Sequence, residues 1–376
     1  MIITNFHDNA SQQMEANKKL GLYRRPFLFN IFAFLFLFVG YFFTTGTGMI
    51  ESAGVKVTYR LVAMALFFGC AILGRAIQLK FLVTFFSLLM YLVFNQSLIV
   101  VNMMFLLLIT ISLYRLSGKE IALTFLVPTT IIVLLHLVLL NTGQLVAVST
   151  DFGERSRSTL GYTNANQASA IYLSFTLVAF FAHQQFRTKA SLFLMVMSFV
   201  VTLIVVMSTD SRTTFFALFL FLLLQFLELL FHRFRIFWVA LRYVAAASPF
   251  LASATTYYIA TSRNPELDII LSLRPYFFSE FMRQASTFDF FLGWSTLENS
   301  GVDNLFLMLL SAVGVIGYFL IIASISYQIF RVNSSVISFV IVMMIVSVFE
   351  SFLLRPEIPI SALLLHLLLS RKMHRQ

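Results

Sequence analysis

Residues 190–231 read ASLFLMVMSFVVTLIVVMSTDSRTTFFALFLFLLLQFLELLF. Two apolar runs, 190–207 and 213–231, meet at the polar phrase STDSR (208–212). Each run approaches the ~20 apolar residues an α-helix needs to cross the hydrocarbon of a bilayer. A charge at the bilayer centre costs about 2.5–3.5 kcal/mol even on insertion scales. Asp210 and Arg212 therefore mark a turn at the membrane surface, and the stretch reads as two spanning helices joined there.

Working outward, the same pattern recurs along the chain. Apolar runs stand near 27–46, 58–74, 79–94, 97–114, 119–140, 166–186, 190–207, 213–231, 238–259, 304–330, 335–353 and 358–370. Only 11% of the 376 residues are charged and 59% are hydrophobic, against about 25% charged in soluble domains. The mean hydropathy is +0.89. The expected fold is an all-α integral membrane protein with about 12 transmembrane helices, forming a single polytopic domain over 1–376. The tightest turn, Asn95-Gln96-Ser97, separates the third and fourth runs; without a turn there, everything downstream inverts. Residues 1–25 form a polar tail ahead of the first run, and no cleavable signal is expected. The lone cysteine, Cys70, has no partner for an internal disulfide.

The net charge of +10 would suggest nucleic acid in a soluble protein. Here the positive-inside bias explains it, and no nucleic-acid partner is expected. With both termini cytoplasmic, every short inner loop is basic, for example Arg115 and Lys119, Arg187 and Lys189, and Arg233 and Arg235. Two outer segments are long, 141–165 and 260–303. Loops of that length usually carry function.

The outer segments hold the candidate residues. Asp210 or Ser211 can cap the helix that follows. Arg212 lies at the positive end of that helix dipole, which suits a bound anion. The phrase DFGERSRSTLGYTNANQ (151–167) contributes Arg155, Arg157, Asn164 and Asn166, with Asn166 a possible helix cap. In SLRPYFFSEFMRQASTFDFFLGWS (272–295), Arg274-Pro275 opens a helix, and Phe277, Phe278, Phe281 and Phe288 recur at helical spacing. That predicts an amphipathic interfacial helix, with Glu280 and Arg283 as a surface pair and Trp294 as a belt aromatic. Asp303 and Asn304 stand at the mouth of the tenth run, where a cap is again the plain alternative. Glu350, Arg355 and Glu357 follow in VFESFLLRPEIP (348–359); Glu350 falls in or at the edge of the eleventh run, where an acid is costly unless it faces a polar cavity. Arginines and carboxylates gathered at one membrane face suit a lipid-anchored anionic substrate. The six histidines are scattered and no metal site or cofactor is expected; no glycine pattern for nucleotides is present.

STDSRTTFFALFLF (208–221) resembles a helix start in the O-antigen ligase/polymerase superfamily. GYTNANQASAIYL (161–173), LRPYFFSEFMRQASTFDFFLGWS (273–295) and VDNLFLMLLSAVGVIG (302–317) resemble its other motifs, in its usual order. The likeness is closest to Wzy-type polysaccharide polymerases of O-antigen, exopolysaccharide or capsule. It implies a GT-C-type glycosyltransferase with long extracytoplasmic loops, inverting and metal-independent, in the cell membrane. The substrate class would be undecaprenyl diphosphate-linked oligosaccharide, the growing chain passing from its carrier onto a new lipid-linked unit. A flippase and a chain-length regulator are implied partners beside the lipid bilayer.

By matched position the resemblance makes Arg212 and Arg274 diphosphate ligands, with Arg155 and Arg157 less securely matched. Asp303, Glu350 and Asp210 are candidate bases, and Asn164, Asn166, Arg283, Asn304 and Arg355 candidate substrate contacts. The ligase branch carries His where this chain has Asp303, which favours a polymerase. The alternatives are a ligase-like transfer to another acceptor and a lipid-linked oligosaccharide flippase or transporter, the latter calling for charges at mid-membrane.

Overall fold

The computed structural model describes residues 24–74, 76–77, 79–95, 98–152, 155–262, 271, 274–283, 290–291, 293, 303–332 and 334–369. Each of the twelve apolar runs contains a helix. They are α1 (Arg24–Tyr41, continued by a π-helical turn, Phe42–Gly46), α2 (Ala53–Leu73), α3 (Leu79–Asn95), α4 (Leu98–Leu113), α5 (Gly118–Asn141), α6 (Ala165–Phe186), α7 (Lys189–Thr209), α8 (Arg212–Phe231) and α9 (Arg235–Thr261). After the short α10 (Arg274–Arg283) come α11 (Leu305–Arg331), α12 (Ser334–Val346) and α13 (Pro359–Leu369). Among the described residues the only strands are a hairpin, β1 (Ser149–Phe152) and β2 (Arg155–Ser158), antiparallel with Thr150 opposite Arg157. The N-terminal tail expected over 1–25 lies almost wholly outside the described residues, as do Phe288 and Trp294.

Among the described residues, eight helices are long and apolar enough to cross a membrane: Pro26–Gly46, α2, α5, α6, α7, α8, α9 and α11. The chain is thus a helical, multi-pass membrane protein. The other four, α3, α4, α12 and α13, have 17, 16, 13 and 11 residues. The chain reverses between α3 and α4, as expected. Phe81, near the start of α3, packs edge-on against Tyr114, just past the end of α4, with ring centroids 5.6 Å apart. The two helices are therefore antiparallel.

Helix ends follow local chemistry. Ser117 and Glu120 form a capping box at α5, the Ser117 N–H donating to Glu120 at 2.8 Å. Thr188 and Ser191 do the same at α7. Helix α6 is the centre of the bundle: 83% of its apolar window is buried, and small residues such as Ala168, Ser169, Ala170 and Ser174 let neighbours approach.

Helices α12 and α13 are too short to span. At 1.5 Å per residue α12 covers about 20 Å of a ~30 Å core. Both are interior, with Ile337 to Met344 and Ile360 to Leu364 buried. Residues 347–358 between them are not helical apart from a 3₁₀ turn, Phe352–Leu354. The eleventh run was expected to be helical to 353; it stops at Val346. Buried non-helical backbone survives only where protein satisfies its polar groups. Here Ser347 O accepts from Leu305 N at 3.1 Å, and Pro356 and Pro359 forbid a continuous helix through the segment.

Candidate functional site

The unwound segment 347–358 carries Glu350, Ser351, Arg355 and Glu357, and each meets a partner from another element. Arg274, the first residue of α10, donates to Glu350 Oε1 at 2.9 Å and lies over the Phe349 ring, 5.4 Å from its centroid. Asp303 accepts from the Ser351 N–H at 2.9 Å and from the Ser351 hydroxyl. Arg355 reaches Asp303 at 3.4 Å. Arg60, in the second turn of α2, pairs with Glu357 at 2.6 Å, and the Tyr59 hydroxyl stands 3.5 Å from the same oxygen.

Asn304 locks this arrangement. It is fully buried; its Oδ1 caps α11 by accepting from Leu307 N at 2.8 Å. Its amide donates to Thr256 of α9 at 3.1 Å and to the Val348 carbonyl. An asparagine so committed holds α9, α11 and the unwound segment together, and the plain capping alternative is the one the geometry uses.

Three arginines and three carboxylates thus interleave at one end of the bundle. Glu350 and Glu357 are each 1% exposed, while Arg60, Arg274 and Arg355 keep about a quarter of their side-chain surface open. Each guanidinium has five N–H donors, and each ion pair engages it at one nitrogen. Buried carboxylates therefore fix the cations in place.

The carboxyl groups are unequal. Burial pushes Glu350 well above the ordinary carboxyl range, the Asp303 charge adds to this, and Arg274 offsets it only in part. Burial acts on Asp303 too, but Arg355, with hydrogen bonds from Glu350 and Ser351, holds it below its ordinary value.

A second polar cluster joins the hairpin to α6 and α7. Arg157 donates to the Thr209 carbonyl at 3.1 Å and to Asn166 Oδ1 at 2.6 Å. Asn164, not Asn166, caps α6, accepting from Asn166 N at 2.8 Å. Beneath it Ser169, Ser211 and Thr214 form a closed ring of hydroxyls, 3.0–3.1 Å apart.

The phrase STDSR is a turn, as its charges require, but its parts differ from expectation. Asp210 does not cap the following helix. It ends α7 in the left-handed conformation, φ 43° and ψ 44°. Ser211 takes the N-cap position of α8 without a side-chain bond to the helix backbone. Its hydroxyl is used by the Ser169 and Thr214 ring instead. Arg212 is exposed on the first turn of α8.

Of the expected site residues, the structure brings together Arg274, Asp303, Glu350, Arg355 and Asn304. It groups Arg157, Asn164 and Asn166 elsewhere, and no hydrogen bond or ion pair among the described residues joins Arg212 to the first cluster. Arg283 pairs with Glu280 at 2.7 Å on the exposed side of α10. Arg155 opens β2 opposite Phe152. On α10 itself Pro275, Phe278 and Phe281 are buried, while Phe277 is exposed. Arg60 and Tyr59 were missed. Arg60 carried a signal: it is a charge inside an apolar helix.

Beside the first cluster lies an apolar groove of about 380 Å³ between α3, α4, α11 and α13. Leu305, Leu353 and Leu354 line it next to Asp303 and Arg355, and Gln328, Leu368 and Leu369 line its far end. It follows α11 for roughly 30 Å. Among the described residues no three His, Cys, Asp or Glu side chains converge as a metal site would need. No family model, no curated protein and no solved structure matches this chain.

Proposed function

We propose that the chain is a glycosyltransferase of the outer membrane face. It moves a growing glycan from a polyprenyl diphosphate carrier onto the hydroxyl of a new lipid-linked unit, as the resemblance to Wzy-type polymerases implies, on a GT-C-type helical frame. One observation carries the reading: three part-exposed arginines, Arg60, Arg274 and Arg355, are pinned by carboxylates at one end of a membrane bundle. Preorganised cations aimed at developing charge are the largest single term in many enzymes. The leaving diphosphate gathers such charge as the anomeric C–O bond breaks and its electron pair moves to the phosphate oxygen. Attack by the acceptor hydroxyl from the opposite side inverts the anomeric centre. The adjoining apolar groove gives the carrier's hydrocarbon a place to lie.

The test is polymerisation by the purified protein on a verified lipid-diphosphate-linked repeat unit, with products resolved on a gel. A ladder at repeat-unit spacing is expected. Arg274→Ala and Arg355→Ala should each lower turnover by about 10²–10³. No ladder from folded protein on its native unit overturns the reading.

A second reading, a transporter of lipid-linked oligosaccharide, draws on the unwound segment between α12 and α13. Broken helices at membrane depth line the sites of many transporters. Movement of the lipid-linked unit across liposomes, with no polymer formed, would favour it.

A further inference from the structure

Glu350 Oε1 accepts from Arg274, yet Oε2 is buried and meets no donor among the described residues. What the Glu350 carboxyl does meet, within hydrogen-bonding reach, is the carboxyl of Asp303. Two carboxylates cannot hydrogen-bond to one another; one of the pair has to carry a proton. The environments say which. Glu350 is 1% exposed and, among the described residues, has only Arg274 as a cation at contact distance. The Asp303 side chain is 31% exposed, with Arg355 and both donors of Ser351 directed at it.

We infer that Glu350 and Asp303 hold one proton between them and act as a single proton-accepting unit, with Asp303 the outward-facing member that touches the acceptor hydroxyl. This role rests on the proposed function; the shared proton does not. In the step, the acceptor O–H proton passes to an Asp303 carboxylate oxygen as its oxygen bonds the anomeric carbon. The anomeric bond to the diphosphate breaks, and that electron pair leaves on the phosphate. Protonation of Asp303 removes the charge that Arg355 was neutralising, so Arg355 becomes free for the departing diphosphate at the moment charge develops there. Proton acceptance and leaving-group stabilisation are linked through one arginine. The groups facing the pair are Arg274 from α10, Arg355 and Ser351 from the unwound segment, and, around Arg355, Tyr41 of α1 and Glu357. Two coupled carboxyls titrate as a unit, so the pH dependence belongs to the pair.

The experiment is infrared difference spectroscopy of the full-length protein in lipid nanodiscs, titrated from neutral to alkaline pH. The carbonyl band of a protonated carboxyl is expected at neutral pH, lost in Glu350→Gln and displaced in Asp303→Asn. If no such band depends on Glu350, the shared proton is wrong. Turnover on the verified lipid-linked unit is measured in parallel. Asp303→Asn should lose about 10²–10⁴-fold. Glu350→Gln, which keeps a donor toward Asp303, should lower turnover less than Asp303→Asn does and should displace its pH profile. A present band with full turnover in Asp303→Asn overturns the catalytic role. If the wild type makes no polymer at all, the proposed function fails, and the band alone still decides whether the proton is shared.

Discussion

Glu357 shows what one side chain does in this site. Its carboxyl is 1% exposed and met by Arg60 at 2.6 Å. Removing one partner of a buried pair leaves an uncompensated charge and costs about 3–5 kcal/mol. Because Arg60 is a quarter exposed, Arg60→Ala is expected near the lower bound, about 3 kcal/mol, read as a fall in thermal unfolding temperature in detergent. Arg283→Ala, which breaks the exposed pair with Glu280, should stay within about 0.5 kcal/mol. Equal losses would contradict the distinction. Glu350 and Asp303 should affect stability with opposite signs. Glu350 is raised above its ordinary 4.5, so its contribution is full below that value and is lost as pH rises through the folded one. Unfolding scans across pH should therefore show Glu350→Gln gaining on the wild type as pH rises. Asp303 is lowered from 3.8, so its contribution is present above that value and lost as pH falls through the folded one. Glu350 was legible in the sequence because an acid beside an apolar run has to be explained. Arg60 carries the same signal, a charge inside an apolar helix, diluted by the apolar residues that surround it in α2.

At the scale of the element, breaks matter more than helices. Helix α11 is interrupted at Gly314, where φ is 63° and ψ 175°, a region essentially reserved for glycine. A Cβ there would stand 2.1 Å from the Phe291 carbonyl oxygen, and one on Gly293 would stand 2.7 Å from Ser311 O. The two backbones touch, which brings Phe291 and Gly293 against α11. Gly314→Ala should cost about 3 kcal/mol or more, combining backbone strain with a backbone clash. Gly143→Ala also has positive φ, 72°, but open space around it; it should cost only about 1–2 kcal/mol. Thermal unfolding of the two variants side by side checks this. The hydropathy of α12 and α13 was plain in the sequence, but their lengths were not. The apolar run to 353 continues past Val346 without a compositional change, while the hydrogen bonds that end the helix come from Leu305 and Asn304, about 40 residues away.

For the whole molecule, the charge asymmetry predicts orientation. Helix α7 runs between Arg187 at one end and Ser208 at the other, both exposed. In a Cys70→Ser background, Ser208→Cys should react with a membrane-impermeant maleimide in intact cells. Arg187→Cys should react only after permeabilisation. The reverse pattern would invert the topology and place the Arg274 cluster on the inner side, where the proposed carrier chemistry would not be found.

By itself the sequence determined that this is a helical membrane protein, where the apolar runs lie and which charges gather at their ends, because lipid tolerates few charges and every run announces itself. It also pointed to Arg274, Asp303, Glu350 and Arg355 one by one. Tertiary structure alone decided that these four share one cluster, that Arg60 and Glu357 belong with it, and that Asp210, Arg212 and Arg157 lie in other arrangements. The reason is physical. Hydropathy acts residue by residue and can be summed along a chain, whereas an ion pair depends on which helix ends pack together, and that is set by contacts such as those of Asn304 between segments distant in sequence.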